Sequence, residues 1–216
     1  MARPFFPLPC LMLVTDRGLC ADLQRAVAQA VAGGVNLVQL REKGLPPREL
    51  WALAQELRRV TAGRALLLVN DRADVALAVG ADGVHLPEEG LPVAAARRVL
   101  GPTRLVGRSV HSAEAAARAE GEGADYLVVG PVYPTRSHPG AVPGGPGLVA
   151  RVRQAVRLPV LAIGGITPET VPEVVAAGAS GVAVISAILG SGDPQASAAA
   201  LRSALDVAWA EVTRRA

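Results

Sequence analysis

Aromatic residues and cysteines are scarce in this chain of 216 residues: Phe, Trp and Tyr make up 3% of it, and there are two cysteines. Neither Cys10 nor Cys20 lies near a cluster of other ligand residues, so we expect neither a zinc site nor a disulfide. No apolar run approaches the roughly 18 residues of a membrane span. The first residues lack the long apolar stretch of a secretory signal, and a cytoplasmic protein is therefore expected.

A strong excess of one charge is also missing. The net charge is +3, and the basic residues are scattered along the chain. Because few aromatic side chains are available to stack on bases, this composition argues against a nucleic-acid partner. Of the 22 Lys and Arg residues, all are arginine except Lys43. This lone lysine is therefore a candidate functional residue.

Apolar residues, in contrast, are abundant. Half of the chain is hydrophobic, and with so few aromatics the core must consist mainly of Ala, Val and Leu. That amount is enough for one large core. Neither a linker nor a low-complexity segment divides the chain. We therefore expect a single domain over residues 1–216.

One sequence pattern recurs: an Ala-rich helical stretch, a Gly, a few small or polar residues and a β-rich apolar run. The glycines of this pattern are Gly33, Gly80, Gly123 and Gly178. A Gly there suits the left-handed residue that ends a helix, and the run after it suits a strand buried on both faces. Similar strands are expected over 11–15, 66–70, 105–109 and 159–163. Helical periodicity follows each run, as over 47–62, 113–121 and 170–177.

Eight strands alternating with eight helices, at about 27 residues per unit, predict an α/β fold, the (β/α)₈ or TIM barrel. A doubly wound open sheet is the alternative, but no GxGxxG motif follows the first strand. The longest irregular stretch, residues 131–146, follows strand six and is rich in Pro and Gly, which is typical of a functional or mobile loop. In a TIM barrel the active site lies at the carboxyl ends of the strands, so polar residues there are the candidates.

The ends of strands seven and eight indicate a phosphate site. Gly164 and Gly165 follow strand seven, and Ile185 and Ser186 follow strand eight. Small residues at these two positions let backbone N–H groups approach an anion, as in the standard phosphate site of TIM barrels. A tight turn is the alternative explanation for the glycine pair alone.

The end of strand two indicates a second anion site. Arg41 and Lys43 alternate there, so both side chains face the barrel mouth if Gln39 points inward. Two cations suit a group such as a diphosphate. The alternative is a rim in which Glu42 forms salt bridges with the same residues.

Polar residues also end strands three and five. Asn70 and Asp71 follow strand three, where they could bind a metal or a phosphate; the alternative is a helix N-cap before Arg72. Ser109 ends strand five and is a weak signal by itself. All of these residues belong to the edge of the barrel at which substrates are expected.

The three histidines differ in position. His85 falls in the alternation of strand four and suits either the core or the site. His111 precedes an Ala-rich helix and is expected to order the loop after strand five. His138 lies in the long loop and could close over a ligand. No Ser-His-Asp arrangement and no metal-spaced cluster can be read from these positions.

Several segments together resemble the thiamine-phosphate synthase/TenI family. They are QLREK (39–43), VNDRADVALAVGADGVHL (69–86), GRSVHS (107–112), GADYLVVGPVYPT (123–135), AIGGIT (162–167) and GVAVISAI (181–188). Members of the family are single-domain TIM barrels of thiamine biosynthesis. The synthase branch joins a pyrimidine pyrophosphate to a thiazole phosphate with Mg²⁺ and releases pyrophosphate. The TenI branch is a tautomerase that aromatises a thiazole carboxylate phosphate.

The resemblance implies roles for particular residues. Those that match contacts to the pyrimidine and its pyrophosphate are Gln39, Arg41, Lys43, Asn70 and Ser109. Asp71 matches one of two magnesium-binding aspartates. The residues that match the thiazole-phosphate site are Thr135, Ser137, Gly165, Ile185 and Ser186.

Two departures from the synthase pattern favour the TenI branch. Gly90 stands where the second magnesium aspartate is expected, and His138 stands in place of a loop lysine. Both losses weaken the groups that would stabilise a departing pyrophosphate. In addition, the LPxxG and GRSVHS segments resemble TenI. We therefore expect a thiazole tautomerase that binds a thiazole phosphate and needs no cofactor.

The expected general base of this tautomerase is His138 or, failing that, His85. Pro131 occupies the position of the TenI histidine and cannot serve, because it has no ionisable group. Arg41 and Lys43 complete the expected catalytic set.

Two alternatives stay open. The first is a thiamine-phosphate synthase in which Glu88 or Glu89 replaces the lost aspartate, with Mg²⁺ at Asp71 and a pyrimidine pyrophosphate as second substrate. The other is a non-catalytic protein that binds thiazole phosphate and has a regulatory role. Each form is compatible with a homo-oligomer.

Overall fold

A computed structural model of the protein describes residues 5–135 and 140–215. Its centre is a closed barrel of eight parallel strands in chain order, in which β8 pairs with β1. The strands are β1 (Cys10–Val14), β2 (Leu37–Leu40), β3 (Leu66–Asn70), β4 (Gly83–Leu86), β5 (Leu105–Val110), β6 (Tyr126–Val129), β7 (Val160–Ile163) and β8 (Gly181–Val184). The predicted TIM barrel is therefore confirmed.

Helices follow the strands on the outside of the barrel. They are α1 (Leu23–Ala32), α2 (Pro47–Thr61), α3 (Ala73–Ala78), α4 (Val93–Leu100), α5 (Ala113–Gly121), α6 (Gly145–Ala155), α7 (Val171–Ala176), α8 (Ser186–Leu189) and α9 (Pro194–Arg215). The helix not predicted from the sequence is α8, because one turn is too short to show a helical period. None of the described helices is both long and apolar enough to cross a membrane.

The apolar residues form two layers because successive side chains of a strand point to opposite faces of the sheet. Met12, Leu68 and Leu161 belong to the cluster that fills the barrel interior. Leu11, Val69 and many Ala and Val residues of the helices belong to the larger layer between strands and helices. Polar caps begin several helices: the Asp22 side chain, for example, accepts a hydrogen bond from the Arg25 N–H.

One glycine does not behave as its place in the repeat predicts. Gly33 has a φ of −80°, and the left-handed residue is its neighbour Gly34, with a φ of 106°. A Cβ on Gly33 would overlap with the carbonyl oxygen of Gln195. Position 33 therefore requires a glycine because α9 packs closely against it, and not because of its backbone conformation.

Candidate active site

The carboxyl ends of the strands surround a cavity of about 610 Å³. Most of the residues predicted for the site line it, and they come from loops far apart in the chain. These lining residues are Gln39, Arg41, Lys43, Asn70, Asp71, His85, Ser109, Thr135, Gly164, Gly165, Ile185 and Ser186. The other two predicted residues, Ser137 and His138, lie outside the described residues.

The loop after β2 forms the cationic side of the cavity. β2 ends at Leu40, so Arg41 and Lys43 belong to the loop and not to the strand as predicted. Gln39 is buried, and its Nε2 donates to Asn70 Oδ1 at 3.0 Å. This bond joins the ends of β2 and β3, and Asn70 lines the same cavity as the two cations.

Glu42, which lies between these two cations in the sequence, is held by the loop after β1. Its carboxylate accepts hydrogen bonds from the Thr15 hydroxyl at 2.6 Å and from the Arg17 backbone N–H at 3.2 Å. No described acidic side chain forms a salt bridge with Arg41 or Lys43. The alternative of a salt-bridged rim is therefore wrong, and Arg41 and Lys43 line the cavity without a salt bridge to a described carboxylate.

Asp71 is the one described residue other than glycine with a positive φ, at 61°. This conformation is uncommon for a residue with a side chain and often marks a functional site. The helix α3 begins with Arg72 at its N-cap and has no side-chain cap. The N-cap alternative for Asp71 is therefore wrong, and its carboxylate is left to the cavity.

The loop after β4 is held to the end of β5. The Arg108 guanidinium donates to the backbone oxygens of Glu88 and Leu91, and His111 Nδ1 pairs with the Glu88 carboxylate. Glu88 lines the cavity, and Glu89 is not among the lining residues. His111 thus ties the two loops together, as the sequence predicted for the loop after strand five.

Gly164 and Gly165 have φ values of 99° and 65°, which favour glycine. A Cβ on Gly165 would lie 2.6 Å from the Pro134 oxygen and 2.7 Å from Tyr133 Cβ. The glycines thus allow the loop after β6 to pack on the loop after β7. The backbone N–H groups of Gly164, Gly165 and Ser186 donate to no other described residue. Such groups are suited to an anion.

His85 is unsuited to the role of general base. Its Nδ1 lies 2.8 Å from the Tyr126 hydroxyl and its Nε2 lies 2.9 Å from Ser109 Oγ, so both ring nitrogens have partners. Burial, together with the charges of Arg108 and Arg41, lowers the pKa of His85 to about 3. An imidazole with so low a pKa is a weak proton acceptor.

The described side chains supply part of a site for a magnesium ion and leave its other ligands to come from elsewhere. Asp71 offers one carboxylate, and a Cβ built on Gly90 would lie only 3.1 Å from Asp71 Oδ1. Position 90 thus adjoins Asp71, but as a glycine it supplies no second carboxylate. No group of three His, Cys, Asp or Glu residues in the described ranges could hold a metal. Mg²⁺ is commonly held by one or two carboxylates together with phosphate oxygens of a ligand. Asp71 can supply the one carboxylate that such a site needs.

Some residues of the site were not identified from the sequence. Tyr126 lies in the segment GADYLVVG, but its role as a partner of His85 was not predicted. A single hydroxyl within an apolar strand could have indicated it, since buried tyrosines usually find a polar partner. The link from Thr15 to Glu42 was also missed, and nothing in the local sequence indicates it.

The fold and the cavity together define a TIM barrel whose mouth combines a cationic side with a glycine-rich side. Residues 11–188 match the family model of thiamine monophosphate synthase. The chain belongs to this family.

Relatives and a solved structure agree with this assignment. The chain is 51% identical over 208 residues to the thiamine-phosphate synthase of Methanoculleus marisnigri, which covers 93% of this chain and 97% of that protein. It is 46% identical over 205 residues to the thiamine-phosphate synthase of Haloquadratum walsbyi, with 93% and 92% covered. The structure of thiamine phosphate pyrophosphorylase from Pyrococcus furiosus has a TM-score of 0.86 and 39% identity, with 92% of this chain and 96% of that one covered.

These comparisons overturn the expected tautomerase activity. Relatives that share about half of their residues with this chain over nearly its whole length are called synthases. Two single departures, at positions 90 and 138, say less about the reaction than the similarity of the whole chain does. The general-base roles of His138 and His85 were predicted for a tautomerase, and they are therefore wrong as well.

Proposed function

We propose that the protein is a thiamine-phosphate synthase that joins a hydroxymethylpyrimidine diphosphate to a thiazole phosphate and releases pyrophosphate. The observation that carries the proposal is one cavity with two sets of groups suited to anions. Arg41 and Lys43 lie on one side, and Gly165 and Ser186 lie on the other. Two phosphorylated substrates need two such sites within reach of each other.

The cationic side is assigned to the pyrimidine diphosphate. Arg41 supplies a planar fork and Lys43 a point charge for its oxygens, while Asn70 and Ser109 add polar contacts. Asp71 would hold Mg²⁺ jointly with the diphosphate. The ion would neutralise negative charge on the leaving group.

The glycine-rich side is assigned to the thiazole phosphate. The backbone N–H groups of Gly165 and Ser186 have no described partner and can donate to phosphate oxygens. Thr135, Gly164 and Ile185 complete this side of the cavity. The ring of the thiazole then lies toward the cationic side, where the pyrimidine is bound.

The reaction needs positioning more than proton transfer. A bond forms between the thiazole nitrogen and the pyrimidine methylene carbon, and the bond from that carbon to the diphosphate oxygen breaks. Pyrophosphate leaves with the bonding electrons, while the thiazole becomes a cation. The described site accordingly offers cations for the leaving group, and the buried His85, whose pKa is lowered to about 3, is too weak a proton acceptor to be needed for the reaction.

The test is a turnover assay with both purified substrates and Mg²⁺, in which thiamine phosphate and pyrophosphate are measured. We expect both products in equal amounts. Lys43→Met should lower kcat/KM at least tenfold, because a charged hydrogen bond to the diphosphate is worth about 1.5–3 kcal/mol.

The matched control is Arg59→Met, which removes one positive charge from an exposed position on α2 outside the cavity. This variant should keep full activity. If both substrates bind to the wild-type protein but no thiamine phosphate forms, the synthase proposal is wrong and the protein is a non-catalytic binder.

A further inference from the structure

Three polar groups form a continuous chain of hydrogen bonds inside the barrel. The Tyr126 hydroxyl lies 2.8 Å from His85 Nδ1, and His85 Nε2 lies 2.9 Å from Ser109 Oγ. Tyr126 and His85 are buried, whereas Ser109 reaches the cavity. The chain therefore connects the barrel interior with the side of the cavity assigned to the diphosphate.

A missing side chain makes this contact possible. His85, Gly107 and Tyr126 lie side by side in the register of β4, β5 and β6. A Cβ on Gly107 would overlap with the ring and the hydroxyl of Tyr126. The glycine thus opens a gap in β5 through which the side chains of β4 and β6 meet, and the stacked ring of Phe6 holds Tyr126 from another side.

The direction of the chain follows from counting donors and acceptors. The side chains of Tyr126 and His85 are both buried, so each of their protons needs an acceptor inside the barrel. Among the described residues, the Tyr126 hydroxyl forms its hydrogen bond with His85. If Tyr126 accepted from His85, its own proton would be buried without an acceptor, which is unfavourable. Tyr126 therefore donates to Nδ1, and the histidine proton is on Nε2.

We propose that Tyr126 is a positioning residue that, through His85, makes Ser109 a hydrogen-bond donor toward the diphosphate. With the proton on Nε2, His85 donates to Ser109 Oγ, and the serine proton is free to point into the cavity. With the opposite tautomer, Ser109 would donate to His85 and present only its lone pairs to an anion. The inference rests on the proposed function for the identity of the anion.

The tautomer itself can be measured without ligand. Two-dimensional ¹H–¹⁵N NMR of the imidazole ring in the free wild-type protein should show His85 protonated at Nε2. In Tyr126→Phe the donor to Nδ1 is gone and either tautomer leaves Nδ1 without a partner, so His85 should become a mixture of the two tautomers. A wild-type His85 protonated at Nδ1 would overturn the proposal without any variant, even if Tyr126→Phe failed to fold.

The consequence for the anion is tested by calorimetry with inorganic pyrophosphate and Mg²⁺. Ser109→Ala should weaken pyrophosphate binding about tenfold, Tyr126→Phe should weaken it by a smaller factor, and the double variant should bind no more weakly than Ser109→Ala alone. Equal, additive losses would overturn the relay, because a structural effect of Tyr126 would not depend on Ser109.

Failure of the relay and failure of the synthase proposal can be told apart. Additive losses combined with normal wild-type turnover reject the relay and keep the synthase. If the wild-type protein does not bind pyrophosphate, the role of Ser109 as a donor to this anion is wrong. The turnover assay then tests the synthase proposal independently.

Discussion

Asp71 and Gly90 are two residues whose environment decides how the protein can use a metal. Asp71 has a positive φ and faces the cavity, while Gly90 leaves open the space beside it. With one carboxylate in place, the protein has few ligands for Mg²⁺ until a diphosphate brings its own oxygens. We therefore expect Mg²⁺ to bind weakly to the free protein and more tightly together with the diphosphate.

Adding the second carboxylate should change this behaviour. In Gly90→Asp the new Cβ would lie 3.1 Å from Asp71 Oδ1 and 2.9 Å from Pro87 Cδ, so a small local shift is needed. Because two carboxylates then face one ion, we expect Mg²⁺ affinity in the absence of diphosphate to rise about tenfold, or about 1.4 kcal/mol. Isothermal titration calorimetry of the free protein measures it.

Gly90→Asn is the control for that experiment. It brings nearly the same volume against Pro87 but no negative charge. An equal rise in Mg²⁺ affinity in the Asn and Asp variants would show that the carboxylate at position 90 does not meet the ion.

The loops after β6 and β7 act as one packed element. Gly165 lies against Tyr133 and Pro134, the Tyr133 hydroxyl donates to Glu173 of α7 at 2.5 Å, and the Val132 N–H donates to the Ile163 oxygen at 2.9 Å. The position of the glycine-rich side of the cavity therefore depends on how closely these two loops pack.

A single methyl group should disturb this element. Gly165→Ala forces a positive φ of 65° on a residue with a Cβ and places that Cβ 2.6 Å from the Pro134 oxygen. We expect the free energy of unfolding to fall by about 2–4 kcal/mol, and phosphate affinity to fall with it. Urea denaturation and phosphate titration measure the two effects.

Gly63→Ala separates the two causes. Gly63 has a similar φ of 69°, but nothing lies within 4 Å of its added Cβ. In Gly63→Ala the free energy of unfolding should fall only by the cost of the positive φ, about 1 kcal/mol. Equal losses in the two variants would mean that packing between the loops contributes nothing at position 165.

The stability of the whole barrel should depend on pH through His85. In the unfolded chain its imidazole takes up a proton near pH 6.5, whereas burial lowers its pKa in the folded protein to about 3. Between these values the unfolded state binds more protons. The free energy of unfolding therefore falls as the pH decreases through this window, by at most about 1.4 kcal/mol per pH unit.

His85→Gln should remove this contribution. Urea denaturation between pH 7.5 and pH 5 should show the wild-type protein losing about 2 kcal/mol more than the variant. Thr61→Val, at a buried residue of α2 that carries no titratable group, serves as the control and should keep the wild-type dependence. A His85→Gln variant with the same pH dependence as the wild type would show that His85 takes up its proton as readily in the folded barrel as in the unfolded chain.

Much of the fold and of the site was determined by the sequence alone. Repeated apolar runs after glycines predicted the strands, because a strand buried on both faces needs a continuous apolar stretch. The carboxyl ends of parallel strands meet at one face of a barrel, so polar residues such as Arg41, Asn70 and Gly165 could be assigned to one cavity without coordinates.

The tertiary structure decided what depends on residues far apart in the chain. Glu42 turns to Thr15 and leaves Arg41 and Lys43 to the cavity, and Gly107 lets Tyr126 reach His85 across β5. Local sequence carries no signal for such contacts, since they form only when strands from different repeats are brought side by side. Periodicity determines which elements form; the packing of these elements against each other determines which protons, charges and gaps the site contains.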